Sequence, residues 1–191
     1  MAKDTKNNLL DSAERAAWTH GFDGFRYADL AADVGITKAS IHHHFSSKAT
    51  LAVALMQRYY LDLEAACAEI DQEQTTGAAR LEALIARYRG ALDGGQSLCL
   101  CLCVSFSTST QSLSTETIVE MNRFRSMMID WLFKTFVQGN KDGTIQAVVN
   151  PRAEAAATLP LLEGAQLAAR AAQNAERFDA ATHLLSVRLR A

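Results

Sequence analysis

Proline is almost absent from this chain, and its absence constrains the fold more than any other feature. Only Pro151 and Pro160 occur among 191 residues, so no residue before position 151 must interrupt a helix. The chain also contains 33 alanines, and alanine has the strongest intrinsic preference for the helix. Together these two features predict an all-α fold.

The charge balance excludes binding of a polyanion through bulk charge alone. Nineteen Lys and Arg side chains oppose twenty-one Asp and Glu side chains, which gives a formal net charge of −2. Residues 1–48 are neutral, with six basic and six acidic side chains. Any nucleic acid must therefore be held by a few specific side chains on a local surface.

Two further features predict a cytoplasmic protein. Asp4, Asp11 and Glu14 lie where a secretory signal would need an apolar segment, so we expect no signal peptide. The longest apolar run, residues 98–104, is far too short to span a bilayer. In the cytoplasm the four cysteines are expected to be reduced thiols. The sequence thus predicts no membrane partner and no cofactor.

Apolar residues recur at helical spacing along most of the chain and predict about nine helices. The predicted helices cover residues 9–20, 27–34, 37–45, 48–72, 78–92, 97–111 and 114–138, a helix from 151 onward, and 176–190. Pro160 is expected to kink or split the helix that begins at Pro151. We expect a three-helix N-terminal domain, residues 1–46, joined by a continuous helix to a larger helical body, residues 47–191.

Two short helices joined by a tight turn lie near the N-terminus. The helix YADLAADV ends at Gly35, and Thr37 is a natural N-cap for the next helix because its hydroxyl can accept a backbone N–H. Two helices with so short a connection form a helix-turn-helix pattern. In DNA-binding proteins the second helix of this motif lies in the major groove.

The segment from Gly21 to Leu51 resembles the DNA-binding domain of the TetR family of one-component bacterial regulators. The resemblance rests on Gly21-Phe22, Leu30-Ala31, Val34-Gly35-Ile36, the helix TKASIHHHF, and Ser47-Lys48 with Leu51. The rest of the chain matches the family only in length and in its all-helical layout. The resemblance implies a homodimer that binds a palindromic operator in double-stranded DNA and responds to an effector.

The geometry of the motif indicates which side chains would meet DNA, because the second helix directs its N-terminal residues at base edges. Lys38 can donate to guanine, and the methyl group of Ala39 can meet a thymine methyl. Lys48 combines a positive charge with a helix N-terminus, which suits a phosphate. The predicted DNA-binding residues are Arg26, Tyr27, Thr37, Lys38, Ala39, His42, His43 and Lys48.

Two positions depart from the pattern that the resemblance implies. The second helix of the family usually begins with Thr or Ser as cap and phosphate ligand; here Arg26 or Tyr27 would supply the contact. His42 stands where the family usually has Tyr, and an imidazole titrates near neutral pH. DNA affinity is therefore expected to rise on mild acidification.

The run from His42 to His44 raises the question of a metal site. Consecutive helical residues point about 100° apart, so three in a row cannot converge on one ion, whereas ligands at i and i+3 or i+4 can. We predict no metal site here. One or two of these histidines are expected to face DNA and another to pack against the domain core.

Three of the four cysteines, Cys99, Cys101 and Cys103, lie in the stretch LCLCLC. On a helix, Cys99 and Cys103 share a face and Cys101 points elsewhere. They are either small buried hydrophobes or a thiol sensor whose modification shifts the protein off DNA. The stretch CLCVSFSTSTQSLSTE resembles the segment of electrophile- and oxidant-responsive family members, which implies Cys101 as the reactive thiol. A three-thiolate metal site is disfavoured because no fourth ligand has diagnostic spacing.

The larger body offers candidates for a pocket and for a dimer face. Aromatic and Met side chains suit an adaptable apolar pocket, although each one equally suits a core. The pocket candidates are Tyr88, Phe106, Met121, Phe124, Met128 and Trp131. In the last two helices, rows of alanine allow close backbone approach and leucines supply apolar area. The resemblance implies that these two helices pair with a second copy as a four-helix interface.

The sequence therefore predicts a DNA-binding transcriptional regulator, a repressor released from its operator by a small-molecule or thiol-reactive effector. The first alternative is a helical scaffold or interaction module without DNA binding. The second is a small enzyme, against which stands the lack of a nucleophile elbow, phosphate loop, zinc helix motif or paired carboxylates.

Overall fold

The computed structural model describes residues 2–24, 26–93 and 100–189, which form nine α helices and one short 3₁₀ helix. The α helices are α1 Ala2–Gly24, α2 Tyr27–Val34, α3 Lys38–His44, α4 Lys48–Glu73, α5 Gly77–Gly90, α6 Leu102–Ser107, α7 Thr115–Lys141, α8 Pro151–Ala172 and α9 Glu176–Ser186. The 3₁₀ helix, Thr110–Ser112, follows α6. The predicted all-α fold is confirmed. Within the described residues, no helix has both the length and the apolar character that crossing a membrane requires.

The chain forms two compact units. The first unit is Met1–Leu61 with Cys101–Arg123, and the second is Asp62–Leu100 with Phe124–Ala191. Helices α4 and α7 each contribute residues to both units. The first unit therefore contains the helix-turn-helix and also α6, which lies far away in the sequence.

The first unit is built on one apolar face of α1. Leu9, Ala13 and Ala17 on this face are completely buried, and the small alanine side chains let neighbouring helices approach closely. Arg58 on α4 donates to the carboxylates of Asp11 and Glu14 on α1, with 2.6 Å between Arg58 Nη1 and Asp11 Oδ1. This partly buried ion pair fixes α4 against α1.

The turn between α2 and α3 is specified by local chemistry. Gly35 adopts φ 71°, a left-handed conformation that glycine reaches without a steric penalty. The N–H of Ile36 donates to Ala31 O at 2.9 Å, so the turn satisfies a carbonyl that the end of α2 leaves open. Thr37 then caps α3, its Oγ1 accepting from the N–H of Ser40 at 3.2 Å. The predicted cap and glycine stop are both present.

The second unit is centred on the packing of α8 against α9. Leu159, Leu162 and Phe178 are buried between helices of this unit. Arg188 binds both carboxylate oxygens of Glu154 at 2.8 and 2.9 Å and also donates to the Gln146 carbonyl at 3.1 Å. This bidentate pair fixes the residues after α9 to the start of α8.

Two predicted helix ends near the termini differ from the structure. The first helix was expected to stop at His20–Gly21, but α1 continues to Gly24 across a kink where Gly21 has φ 68°. Glycine tolerates this positive φ, so the chain bends at Gly21 and resumes the helix. The last helix was expected over 176–190, and α9 ends at Ser186, where the following residues turn to form a β bridge between Ile145 and Leu189.

The expectation that Pro160 could split the helix is wrong. Helix α8 runs unbroken from Pro151 to Ala172 with Pro160 inside it. Pro160 lies on the exposed face of α8, so its ring points to water. Because proline has no N–H, the carbonyl of Ala156 loses its helical partner, but Ala156 is also exposed and its carbonyl can be hydrated. The predicted helix over 97–111 is also too long, because α6 covers only Leu102–Ser107 and residues 94–99 lie outside the described ones.

The start of α5 lies close against α7 and yields a stability prediction. A β-carbon on Gly77 would lie 2.2 Å from the backbone nitrogen of Gly139 on α7. We expect Gly77→Ala to lower the free energy of unfolding by about 1–3 kcal/mol, since backbone cannot yield as a flexible side chain does. Urea unfolding followed by circular dichroism measures this change.

Gly90→Ala is the matched control, because a β-carbon there meets nothing within 4 Å. Its free energy of unfolding should stay within about 0.5 kcal/mol of the unsubstituted protein. Equal stability of the two variants would contradict the close approach of α5 to α7.

Candidate nucleic-acid interface and cysteine segment

The N-terminal end of α3 presents the side chains predicted to read bases. Thr37, Lys38 and Ala39 are all exposed. Lys38 occupies the first position of α3, directly after the Thr37 cap. The Thr37 hydroxyl is already used, because it accepts from Ser40 N and shares a hydrogen bond with Ser40 Oγ at 3.0 Å. Lys38 is therefore the ammonium donor that α3 itself presents on this surface.

The start of α2 has neither Thr nor Ser at its N-cap position. Arg26 occupies the N-cap position, and its side chain makes no capping hydrogen bond. Tyr27 follows, and its hydroxyl donates to the Phe45 carbonyl at 3.2 Å. Burial raises the pKa of Tyr27 to about 12. The Tyr27 hydroxyl thus joins the start of α2 to the end of α3, whereas the exposed Arg26 guanidinium is directed at solvent.

His42 is held in one orientation on α3. Its Nδ1 lies 3.2 Å from the Ser46 carbonyl, and its ring centroid lies 5.1 Å from that of Tyr27. A carbonyl oxygen only accepts, so Nδ1 carries the proton that is donated to Ser46. In the neutral ring the exposed Nε2 is then an acceptor.

The other two histidines of the run separate as expected into an exposed and a partly buried one. His43 is exposed and His44 is half-buried, with 5.5 Å between their ring centroids. Within the described part of the chain, no group of three or more His, Cys, Asp or Glu side chains is arranged to hold a metal ion.

Lys48 opens α4, but its ammonium is already engaged. Lys48 Nζ lies 4.5 Å from the centroid of the Phe22 ring, a cation–π distance. Partial burial lowers the pKa of Lys48, and the nearby Asp23 carboxylate acts in the opposite direction. Ser47 and Thr50 exchange capping hydrogen bonds at 3.1 Å, which satisfies the helix N-terminus beside Lys48.

The cysteine segment has a different local structure from the predicted one. Cys101 precedes α6 with φ −47° and ψ 132°, so it is an N-cap residue and not part of a helix. Cys103 lies within α6, and Cys99 lies outside the described residues. Neither Cys101 nor Cys103 forms a disulfide, and both are buried, with exposed fractions of 2% and 0%. Any reagent would reach them only after the start of α6 moves.

Cys67 differs from the cysteine segment in its surroundings. Burial, with a smaller contribution from Asp71, raises the pKa of Cys67 to about 12. Its Sγ lies 4.0 Å from Met128 Sδ in the second unit. A thiol with so high a pKa is almost wholly protonated near neutral pH, which makes Cys67 a packing residue.

The six predicted pocket residues are all buried, but they are divided between the units. Phe106 and Met121 belong to the first unit, and the other four belong to the second. Two of these four have partners nearby: Trp131 Nε1 donates to Asp71 at 3.1 Å, and the Tyr88 carbonyl accepts from Gln166 at 2.9 Å.

A cleft of about 280 Å³ lies elsewhere in the second unit. It is lined by Ala66, Glu69, Ile70, Glu73, Ala83 and Arg87. None of the predicted pocket residues lines it.

The sequence reasoning missed one cluster that the structure brings together next to Lys48. The hydroxyls of Ser109 and Ser112, and to a smaller extent the charge of Lys48, lower the pKa of the Asp23 carboxyl from its usual value. No local sequence signal links α1 to the 3₁₀ helix, because the two segments meet only through tertiary packing.

Comparison with known proteins agrees with this geometry. Residues 9–55 match the family of bacterial regulatory proteins known as the tetR family. The repressor NemR of Escherichia coli K12 is 33% identical over 57 residues, which are 30% of this chain and 29% of NemR. The regulator TtgR of Pseudomonas putida is 36% identical over 55 residues, which are 29% of this chain and 26% of TtgR. The match thus spans less than a third of these curated relatives.

Solved structures extend the likeness to the whole chain. A TetR-family transcriptional regulator from Agrobacterium tumefaciens is 28% identical, with 100% of both chains covered and a TM-score of 0.94. The reduced form of E. coli NemR is 23% identical, with 98% of this chain and 97% of NemR covered and a TM-score of 0.83. The match over the helix-turn-helix and the fold of the whole length thus make this chain similar to the tetR family of bacterial regulatory proteins.

Proposed function

We propose that this protein is a sequence-specific DNA-binding transcriptional regulator, a repressor released from its operator by an effector. The observation that carries the proposal is the arrangement of α2 and α3. A left-handed Gly35 and a Thr37 cap hold the start of α3 so that Lys38 and Ala39 are exposed. This is the part of a helix-turn-helix that enters the major groove. The relatives named above as a repressor and a regulator share this segment.

The predicted residues divide into three roles in this proposal. Lys38 and Ala39 read base edges, since Lys suits guanine and a methyl group suits thymine. The phosphate contacts are Arg26, His42, His43 and Lys48, and Thr37 and Tyr27 hold the two helices in position through the hydrogen bonds described above. Phosphate contacts fix the register, whereas the base contacts provide the sequence preference.

A second copy of the chain is the proposed partner on the outer face of α8 and α9. Leu167, Leu184 and Val187 are exposed there, with Leu184 exposed to 69%. Large apolar side chains grouped on one face favour burial against another protein. Pairing through these two helices produces a symmetric dimer, and a symmetric dimer reads a palindromic operator.

The effector is proposed to act on the body, residues 47–191, while residues 1–46 bind DNA in the cytoplasm. Tyr88, Phe124, Met128 and Trp131 supply an apolar interior in the second unit to which a small molecule is suited. The other two candidates, Phe106 and Met121, are buried in the first unit. The effector must bind the DNA-incompetent conformation more tightly, because equal affinity for both conformations shifts no population.

Cys101 is the proposed reactive thiol for a thiol-modifying effector. It lies at the start of α6, where partial opening of a short N-terminal turn would expose it. Cys101 is only 2% exposed, so a group added to its sulfur would disrupt the packing around it. Cys103, with Sγ 4.0 Å from the Met121 carbonyl, is the candidate resolving thiol within the described residues, and Cys99 is the other candidate.

A helical scaffold without DNA binding is the rival function, and Lys38→Ala separates the two. We expect this substitution to weaken operator binding by roughly 5- to 150-fold, the effect of losing one good base contact of about 1–3 kcal/mol. The operator is first selected from random duplexes with the unsubstituted protein, and the dissociation constants are then compared. Lys134→Ala, an exposed lysine on α7, is the control. No selected duplex would favour the scaffold, and equal loss in both variants would show that Lys38 makes no specific base contact.

Operator affinity should rise as the pH falls from about 8 to 6. The His42 Nδ1–H is donated to Ser46, so the neutral ring presents only an acceptor at Nε2, and DNA phosphates also only accept. A phosphate contact therefore requires the protonated ring, which a lower pH favours. Titrations of wild type, His42→Phe and the exposed control His20→Phe measure the effect. Parallel curves for wild type and His42→Phe would reject this role.

Thiol modification should release the protein from its operator through Cys101. We expect hydrogen peroxide, which oxidises a thiolate to a sulfenic acid, or N-ethylmaleimide, which alkylates it, to abolish binding by the wild type. Cys101→Ser should remain bound, whereas Cys67→Ser should respond like the wild type because Cys67 is buried and protonated. Release of the Cys101→Ser variant at the same rate would show that this thiol only packs.

A further inference from the structure

Lys6 on α1 lies beside the end of α3, although the two are far apart in the sequence. Lys6 Nζ is 5.8 Å from the centroid of the Phe45 ring, a cation–π distance. Phe45 is the C-cap residue of α3 and is itself buried, so the Lys6 side chain lies over the point where α3 ends. Lys6 is not among the predicted DNA-binding residues, because no local spacing relates α1 to α3.

The ammonium of Lys6 is open to a further partner. Lys6 is exposed, and it forms no ion pair with any residue that the structure describes. Two arginines of the same unit are already committed, since Arg15 binds Asp33 at 2.7 Å and Arg58 binds carboxylates of α1. Contact with the face of a ring leaves the N–H donors of an ammonium able to bind an acceptor. Lys6 therefore combines a defined position with unused donors.

The end of α3 needs a cation if DNA is to approach it. The last carbonyl groups of a helix lack helical partners and give this end a partial negative charge. In α3 the final turn closes where the Phe45 N–H donates to Ile41 O at 2.7 Å. A positive charge beside such an end stabilises the helix and offsets the charge that would repel a phosphate. The Lys6 ammonium lies where it has this effect.

Helix α3 is short enough for both of its ends to come near DNA. Its seven residues, Lys38–His44, extend about 10 Å along the helix axis. The major groove is about 12 Å wide, and phosphates border it on both sides. When the N-terminal residues of α3 reach base edges, the other end of the helix lies towards one of these backbones. Lys6 is beside that other end, whereas Lys38 is among the bases.

We propose that Lys6 is a DNA-contacting residue that binds a backbone phosphate beside the end of α3, so that α1 forms part of the DNA-binding surface. The inference rests on the proposed DNA-binding function. Phosphates are the same at every base pair, so this contact adds affinity and fixes the position of α3 without giving a base preference. Because the Phe45 ring restrains the ammonium, binding a phosphate costs less side-chain entropy than it does for a freely rotating lysine.

Substitution of Lys6 on the selected operator duplex tests the contact. Lys6→Ala should weaken binding by about two- to fivefold per protomer at low salt, the usual size of one exposed ion pair. The slope of log affinity against log salt should become shallower by about 0.9 per protomer, as expected for one lost phosphate contact. Fluorescence anisotropy between about 50 and 200 mM salt gives the dissociation constants.

Sequence preference separates Lys6 from Lys38. Lys6→Ala should weaken binding by the same factor on the operator and on duplexes with single base changes, whereas Lys38→Ala should alter the ranking of these duplexes. Ethylation of individual phosphates locates the contact. Ethylating the phosphate that Lys6 binds should weaken binding by the wild type and have no further effect on Lys6→Ala.

Three further variants separate charge from packing. Lys6→Gln keeps most of the stem over Phe45 but removes the charge, so it should behave like Lys6→Ala, and Lys6→Arg should retain the salt slope of the wild type. Lys134→Ala, an exposed lysine on α7, should change neither the affinity nor the slope. Thermal unfolding by circular dichroism checks that each variant retains its fold.

The outcomes distinguish the Lys6 contact from the proposed function. An unchanged salt slope in Lys6→Gln, or the same ethylation pattern for the wild type and Lys6→Ala, would overturn the contact while leaving DNA binding through Lys38 intact. Failure of the wild type to select any duplex would overturn both the proposed function and the Lys6 contact.

Discussion

The burial of one face of α1 is the interaction on which the rest of the structure depends. Leu9, Ala13 and Ala17 are completely buried there, and their mostly small side chains permit close packing of helices on this face. Helices α2 and α6 both pack against α1, although they lie far apart along the chain. Because one helix supports both, the DNA-reading motif and the cysteine segment belong to the same compact unit. A displacement of α6 would therefore directly change its packing against α1.

The electrostatics of the first unit follow from how its few cations are used. Arg58 is committed to Asp11 and Glu14, and Arg15 binds Asp33 at 2.7 Å, so these side chains stabilise helix contacts within the unit. Lys48 Nζ lies over the Phe22 ring at 4.5 Å. A nearly neutral domain therefore depends on a few individual cations for any contact with DNA.

Local signals predicted the helix-turn-helix well because its chemistry is local. Gly35 ends α2 and Thr37 caps α3 through contacts between residues a few positions apart, and such contacts are readable from spacing alone. The cysteine segment was predicted less well. Helical periodicity continued through residues 97–111, yet Cys101 precedes a short α6, since the packing of that segment against α1 overrides its intrinsic preference. The six pocket candidates are all buried, but they do not all lie in one unit.

The sequence by itself determined that the chain is helical, where the DNA-reading turn lies, and which exposed side chains follow that turn. Scarce proline, abundant alanine and the Gly35–Thr37 pair were sufficient, because each acts on the backbone within a few residues. Only the tertiary structure decided that Lys48 lies over the Phe22 ring, that Phe22 packs against Phe106, and that Cys101 is buried. These contacts join segments that no spacing rule relates, and they arise from how α1 packs against α6.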